Sequence, residues 1–174
     1  FIARRSLGIK SLDDLKGRSF TFGSESSTSG YLMPLHFLGE AGLGARDLSG
    51  INFSGSHDTT WKLVESGSFE AGALNAAVWE KRVAEGEVDL EKLEAFLVTP
   101  AYFDYHWVVR GDLDDTYGDG ATESIRTALL ELGRGADASE LKILDAFQGE
   151  GFVPTENSNY SAIEAVAREL GIIE

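Results

Sequence analysis

Arg18-Ser19-Phe20-Thr21-Phe22-Gly23, followed closely by Ser26-Ser27-Thr28-Ser29-Gly30-Tyr31, is the stretch that decides the fold. The first part alternates polar and apolar side chains, the period of a strand, and Gly23 ends it. After Tyr31 the apolar residues Leu32, Leu35, Phe37 and Leu38 recur at roughly helical spacing, and the helix stops near Gly42 or Gly44. Pro34 falls near its first turn, where proline is tolerated. Hydroxyls at a helix start cap its free backbone N–H groups. The same N–H groups, at the positive end of the helix dipole, can hold an anion. Three hydroxyls in a row exceed the needs of one cap. Taken alone, the stretch fits both a capped helix after a polar loop and an anion-binding helix start.

The same architecture recurs downstream. Ile51-Asn52-Phe53 reads as a strand, Ser54-Gly55-Ser56 as a turn, and His57-Asp58-Thr59-Thr60 as the start of a helix that runs through Trp61 and ends at Gly67. Ala71-Gly72-Ala73-Leu74 reads as a buried strand whose small residues permit close packing. Asn75 opens a further helix, through Trp79 and Val83 to about Gly86, and Leu93 to Val98 supplies another strand. Upstream, Phe1 to Arg5 is strand-like, and Ser11 to Gly17 is a capped helical turn. Alternating strands and helices predict an α/β fold with a largely parallel sheet. In such a sheet the helix starts gather at the carboxyl edge of the strands. Two of them can converge on one anion there, with His57 donating a ring N–H. A surface histidine near a helix start is the alternative reading of His57.

Composition limits the partners. The 174 residues suffice for one domain or two small ones, and 43% hydrophobic content argues against disorder. A formal net charge of −14 argues against a duplex nucleic-acid partner, whose phosphates need clustered Lys and Arg. That charge also repels small anions at long range, so an anion site here depends on local dipoles and close hydrogen bonds. Cysteine is absent, which removes disulfides, thiol catalysis and Cys-ligated metals. No apolar run reaches the roughly 20 residues needed to cross a membrane.

Signals for catalysis are weak. There is no Gly-x-Ser-x-Gly elbow, no phosphate-binding Gly-x-x-x-x-Gly-Lys loop and no dinucleotide fingerprint. His36, His57 and His106 lack metal-ligand spacing. A Ser29–His57–Asp104 triad can be written down, but nothing local marks an activated serine. Trp61 and Trp79 read as helix core residues, whereas Tyr31 stands where it can line a pocket. A change comes near Thr99-Pro100. Tyr102 to Arg110 is aromatic-rich and strand-like, and helices follow over about 119–132 and 138–146. Phe152-Val153-Pro154 is a loop, and a last helix starts at Asn159 or Ser161.

Together these residues resemble a known family. Asp14-Leu15-Lys16-Gly17, Phe22-Gly23 and Ser27-Thr28-Ser29-Gly30-Tyr31 look like the middle of the phosphonate-binding component of ABC transporters. Ser54-Gly55-Ser56-His57-Asp58 is similar to its next motif, and Phe69-Glu70-Ala71-Gly72-Ala73 to its following strand. Thr99-Pro100 with Asp104-Tyr105, then Phe152-Val153-Pro154 and Tyr160, fit the remainder, so the resemblance spans nearly the whole chain.

The resemblance implies a periplasmic or lipid-anchored solute-binding protein of two α/β lobes that clamp a ligand between them. Residues 10–97 would be the second lobe, nearly complete. Residues 1–9 and 98–174 would be the crossover segments and part of the first lobe, whose beginning lies before Phe1. Apolar surface on a partial lobe would favour self-association. Ser27, Thr28, Ser29 and His57 would bind the oxyanion, with Asp104 facing it from the hinge or the other side. Tyr31 and Asn75 would complete the set. Members that bind aminoalkylphosphonates place an acidic side chain near Asn75. An amide there cannot pair an ammonium with full charge, which favours phosphite, phosphate or a simple phosphonate. The implied function is to deliver that oxyanion to an ABC permease, with no catalysis, cofactor or metal. An effector-binding sensor domain, or an enzyme on the same scaffold, is the alternative.

Overall fold

The computed structural model describes residues 1–133, 137–147 and 149–174, which divide into two compact units, residues 1–104 with 160–174 and residues 105–159. The first unit holds the sheet. Its strands are β1 (Ile2–Arg4), β2 (Ser19–Phe22), β3 (Gly50–Phe53), β4 (Ala71–Gly72) and β5 (Leu93–Ala95), in the spatial order β3-β2-β4-β1-β5. β2 pairs in parallel with β3 (Phe20 beside Ile51) and with β4 (Phe20 beside Ala71).

β1 departs from the parallel expectation. It runs antiparallel to β4, with Ile2 beside Gly72, and antiparallel to β5, with Ile2 beside Ala95. β5 therefore keeps the sense of β4, and β1 alone is reversed. The cause lies in the connections. A parallel return needs a crossover element. α1 (Met33–Glu40), α2 (His57–Glu65) and α3 (Ala76–Ala84) supply one after β2, β3 and β4 in turn. β1 and β2 are linked only by short 3-10 turns at Arg5–Leu7 and Leu12–Leu15.

Both faces of the sheet are covered, as the alternation of β1 shows. Ala3 belongs to one buried cluster, with Phe1, Ile9, Leu15, Phe20, Phe22 and, from α1, Leu38. Ile2 belongs to the other, with Trp61 and Val64 of α2, Leu74, Val88 and Leu93. Thr21 and Thr60 are fully buried between β2 and α2, and both hydroxyls are hydrogen-bonded, Thr60 to Ser54 and Thr21 to the Asn52 amide. A β-carbon on Gly72 would lie 2.9 Å from the Thr21 carbonyl oxygen and 3.0 Å from the Thr60 methyl, so only glycine lets β4 lie this close.

Each helix start after a parallel strand carries its own side-chain cap. Ser27 Oγ accepts from Gly30 N at 2.9 Å, Ser56 Oγ from Thr59 N at 3.1 Å, and Asn75 Oδ1 from Ala77 N at 2.9 Å. The hydroxyl run does not enter α1 directly. It first winds a π-type turn, Thr28–Leu32, in which the Tyr31 and Leu32 N–H groups both donate to the Ser27 carbonyl. α7 (Ser161–Glu169) belongs to the same unit and buries Val166 and Ala167.

The second unit, residues 105–159, is helical: α4 (Leu113–Tyr117), α5 (Ala121–Glu131) and α6 (Ala138–Phe147). α5 and α6 fall where the periodicity put them, whereas α4, of five residues, is too short to show a period. The strand expected over Tyr102 to Arg110 does not form, and those residues carry no regular secondary structure. β-propensity describes how a side chain suits a pleated surface and needs a neighbouring strand to act on. Here the Trp107 ring instead meets Phe147 and Phe152 edge-on. Among the described residues no helix is long and apolar enough to cross a membrane.

Candidate functional site

Three of the capped helix starts meet through their side chains. Ser29 is buried in the π-type turn after β2, His57 is the first residue of α2 after β3, and Asn75 is the N-cap of α3 after β4. Asn75 joins the other two: its Nδ2 donates to Ser29 Oγ at 3.3 Å, and its backbone N–H donates to His57 Nδ1 at 3.3 Å. Gly30 makes room for this meeting. A β-carbon there would lie 2.9 Å from Ser27 Oγ, 3.1 Å from Gly23 Cα and 3.2 Å from His57 Cε1. The histidine edge, the Ser27 hydroxyl and the Gly23 backbone thus close on a position that leaves little room for a side chain.

Ser29 and Asn75 open onto a cavity of 340 Å³, with Tyr102 and Asp104 also on its wall. The rest of the wall is mainly apolar, including Met33 and Pro34 of α1, Trp79 of α3, and Leu97 and Val98 after β5. Ser27, Thr28, Tyr31 and His57 are outside this lining. Ser27 is occupied as the cap of the π-type turn. The Tyr31 ring packs edge-on against Phe22 at 5.2 Å and against Phe53 at 4.9 Å, on the side of the aromatic core. The structure therefore brings Ser29, His57, Asn75 and Asp104 together and turns Tyr31 away from them.

Electrostatics follow from this packing. Burial pushes the His57 imidazole below its ordinary value, against the opposing pull of the Asp104 and Asp58 carboxylates. Its Nδ1 accepts the Asn75 N–H, so the neutral ring carries its proton on Nε2. Asp58 is committed elsewhere. Arg82 of α3 grips it with two bonds of 2.7 and 2.9 Å, and Trp61 Nε1 donates to it at 3.2 Å. The Arg82 hydrogen bonds hold that carboxyl below its usual range and tie the first turn of α2 to α3. Among the described residues no cluster of His, Asp and Glu is set to hold a metal ion.

The sequence pattern does not mark Met33, Pro34 or Trp79 as facing a cavity. Their spacing says only that a helix has an apolar face. It does not say whether that face meets a core or a cavity.

Parallel strands feeding capped helix starts beside a cavity are the architecture of the α/β lobes of periplasmic binding proteins. The chain belongs to the family described as ABC transporter, phosphonate, periplasmic substrate-binding protein, whose sequence profile matches residues 1–160. It is 41% identical over 181 residues to a probable ABC transporter phosphite binding protein, PhnD1, of Prochlorococcus marinus (strain MIT 9301). That match takes in 99% of this chain and 61% of the relative. The solved structure of PhnD1 from the same strain in complex with methylphosphonate superposes with a TM-score of 0.90, over 99% of this chain and 66% of that one. A binding protein component of an ABC phosphonate transporter from Pseudomonas aeruginosa shares the fold, at a TM-score of 0.70 and 20% identity, over 95% of this chain and 54% of that one. The chain thus spans somewhat under two thirds of the length of PhnD1.

Proposed function

We propose that this chain binds a small phosphorus oxyanion (phosphonate, phosphite or phosphate) and is part of a solute-binding protein that passes it to an ABC permease on the outer side of the cytoplasmic membrane. The observation that carries this reading is the meeting of Ser29, His57 and Asn75 at three helix starts beside one cavity. Similarity at 41% identity to a phosphite binding protein supports it. Residues 10–97 form the lobe that holds the anion, and residues 1–9 and 98–174 form the crossovers and part of the other lobe.

In this reading the hydroxyls of Ser27, Thr28 and Ser29 and the backbone N–H groups of their turn donate to the phosphoryl oxygens, with His57 adding a ring N–H. No bond is made or broken. Asp104 sets the selection. An ionised carboxylate only accepts hydrogen bonds, so beside an anion it is tolerated when the ligand brings a proton. Hydrogenphosphate and the monoanions of phosphite and methylphosphonate carry one near neutral pH. Sulfate and selenate do not, and they are rejected by charge repulsion rather than by size. Asn75 offers no full charge to an ammonium, so aminoalkylphosphonates bind less well.

A thermal-shift series on the intact protein tests this reading with phosphite, phosphate, methylphosphonate, 2-aminoethylphosphonate and sulfate. A ligand at about 100 times its dissociation constant adds roughly 2.7 kcal/mol of stability. Stabilisation by phosphite or methylphosphonate but not by sulfate is the expected result. No stabilisation by any phosphorus oxyanion removes the reading. Equal stabilisation by sulfate removes the role of Asp104.

A further inference from the structure

We infer that Asn75 is a positioning residue that fixes the direction of the two protons offered to the ligand, Ser29 Oγ–H and His57 Nε2–H. The inference rests on the oxyanion-binding reading above and assigns Asn75 a part distinct from ligand contact.

The orientation of the Asn75 amide is dictated by its cap. The backbone N–H groups of Ala77 and Val78 point at it, at 2.9 and 3.4 Å, and a backbone N–H can only donate. The atom facing them is therefore the amide oxygen, and the amide nitrogen is left toward Ser29, 3.3 Å away. A serine hydroxyl has one proton and two lone pairs. With one lone pair receiving the Asn75 N–H, its proton must turn elsewhere. Among the described residues no acceptor takes it, and Ser29 faces the cavity.

The same residue acts on His57 through its main chain. Asn75 N–H occupies Nδ1 at 3.3 Å, which leaves the neutral ring with its proton on Nε2. No acceptor among the described residues takes that proton either. One residue thus turns two amphoteric groups, each able to accept as well as to donate, into donors. An anion needs donors. The cap that starts α3 is also the device that sets the polarity of the site.

Aspartate at this position separates the roles. It is nearly isosteric and is itself a good N-cap. Its second oxygen, facing Ser29, can only accept, so it captures the Ser29 proton and turns a lone pair toward the cavity. The backbone N–H at position 75 is unchanged, so the His57 tautomer is unchanged.

The test is a double-mutant cycle on the intact protein, with dissociation constants for phosphite and methylphosphonate measured by calorimetry in wild type, Ser29→Ala, Asn75→Asp and the double variant. The added charge of Asn75→Asp weakens binding in both arms and cancels in the cycle. Ser29→Ala is expected to cost about tenfold in the wild-type background, one hydrogen bond to a charged ligand, and close to nothing in the Asn75→Asp background. An equal cost in both backgrounds overturns the part played through Ser29. Nitrogen-detected NMR of the His57 ring, without ligand, reads the other part. Protonation at Nε2 in both wild type and Asn75→Asp supports it, and protonation at Nδ1 overturns it. Absence of binding by the wild type removes the oxyanion reading itself. The ring tautomer then still decides whether Asn75 directs the His57 proton.

Discussion

Residues 1–104 with 160–174 and residues 105–159 cover their apolar side chains to very different degrees. The first unit buries Phe20 and Phe22 on one face of its sheet and Trp61 and Val64 on the other, nearly without exposure. In the second, Leu144 is the one apolar residue counted as buried among those described, while Tyr105, Val108, Tyr117, Ile125, Ile143 and Val153 are exposed. The difference teaches where a binding site can be built. Every residue that meets at the three helix starts belongs to the first unit, where caps, close glycines and two-sided packing leave each group one position. Binding groups perform best when packing and secondary hydrogen bonds fix them in advance.

The strongest challenge to this contrast is a pair of core truncations. Phe20→Ala is expected to destabilise by about 4 kcal/mol, because a closed core cannot collapse around the hole, and Leu144→Ala by only about 2 kcal/mol, because its partly exposed surroundings can. Urea unfolding followed by circular dichroism measures both, and equal losses would break the comparison.

Gly30→Ala carries the contrast to the edge of the site. A new methyl would stand 2.9 Å from Ser27 Oγ and 3.1 Å from Gly23 Cα, so the capping hydroxyl must shift and the Gly23 backbone must give by a few tenths of an ångström. The expected cost is about 2 kcal/mol, together with a loosened His57 ring visible in its NMR line shape. An unchanged unfolding midpoint would mean that the turn gives way more easily than its packing implies.

The smallest effect is a pH dependence. Burial holds the His57 pKa below its unfolded value of about 6.5, so the folded state favours the neutral ring. The unfolded chain then binds more protons. This group's contribution is complete above about pH 6.5 and is lost as the pH falls through the folded pKa. His57→Gln should flatten the acid side of the stability curve over that window. A bound oxyanion should raise the His57 pKa in an NMR titration by its charge, and an acid limb unmoved by His57→Gln would show that burial does not govern this ring.

Much of the first unit was legible in the sequence because local chemistry there agrees with the fold. Ser56 and Asn75 announce their helices by cap type, and Phe20 and Phe22 announce a strand by alternation. The reversal of β1 was not legible. Direction is set by what connects a strand to its neighbours, and β1 pairs with residues some 70 and 90 positions away. Tyr102 to Arg110 misled because aromatic and β-branched residues suit a strand wherever they stand, and only a pairing partner makes one. Within the site, the residue types at Ser29, His57 and Asn75 were readable. The bonds between them were not, since a 3.3 Å contact across helix starts 46 residues apart leaves no local pattern.

The reversed strand also has a mechanical side. Because β1 and β5 run antiparallel, Ile2 lies beside Ala95 and Arg4 beside Leu93, and the Phe1 carbonyl accepts from Phe96 N at 3.0 Å. The stretch from β1 to β5 thus enters and leaves the sheet at one point. Tension applied at its two ends would load the cross-strand bonds one after another rather than all at once, in the manner of a zipper. A pull from that side should open the sheet at low force, whereas the parallel β2–β3 seam, loaded along its length, should resist.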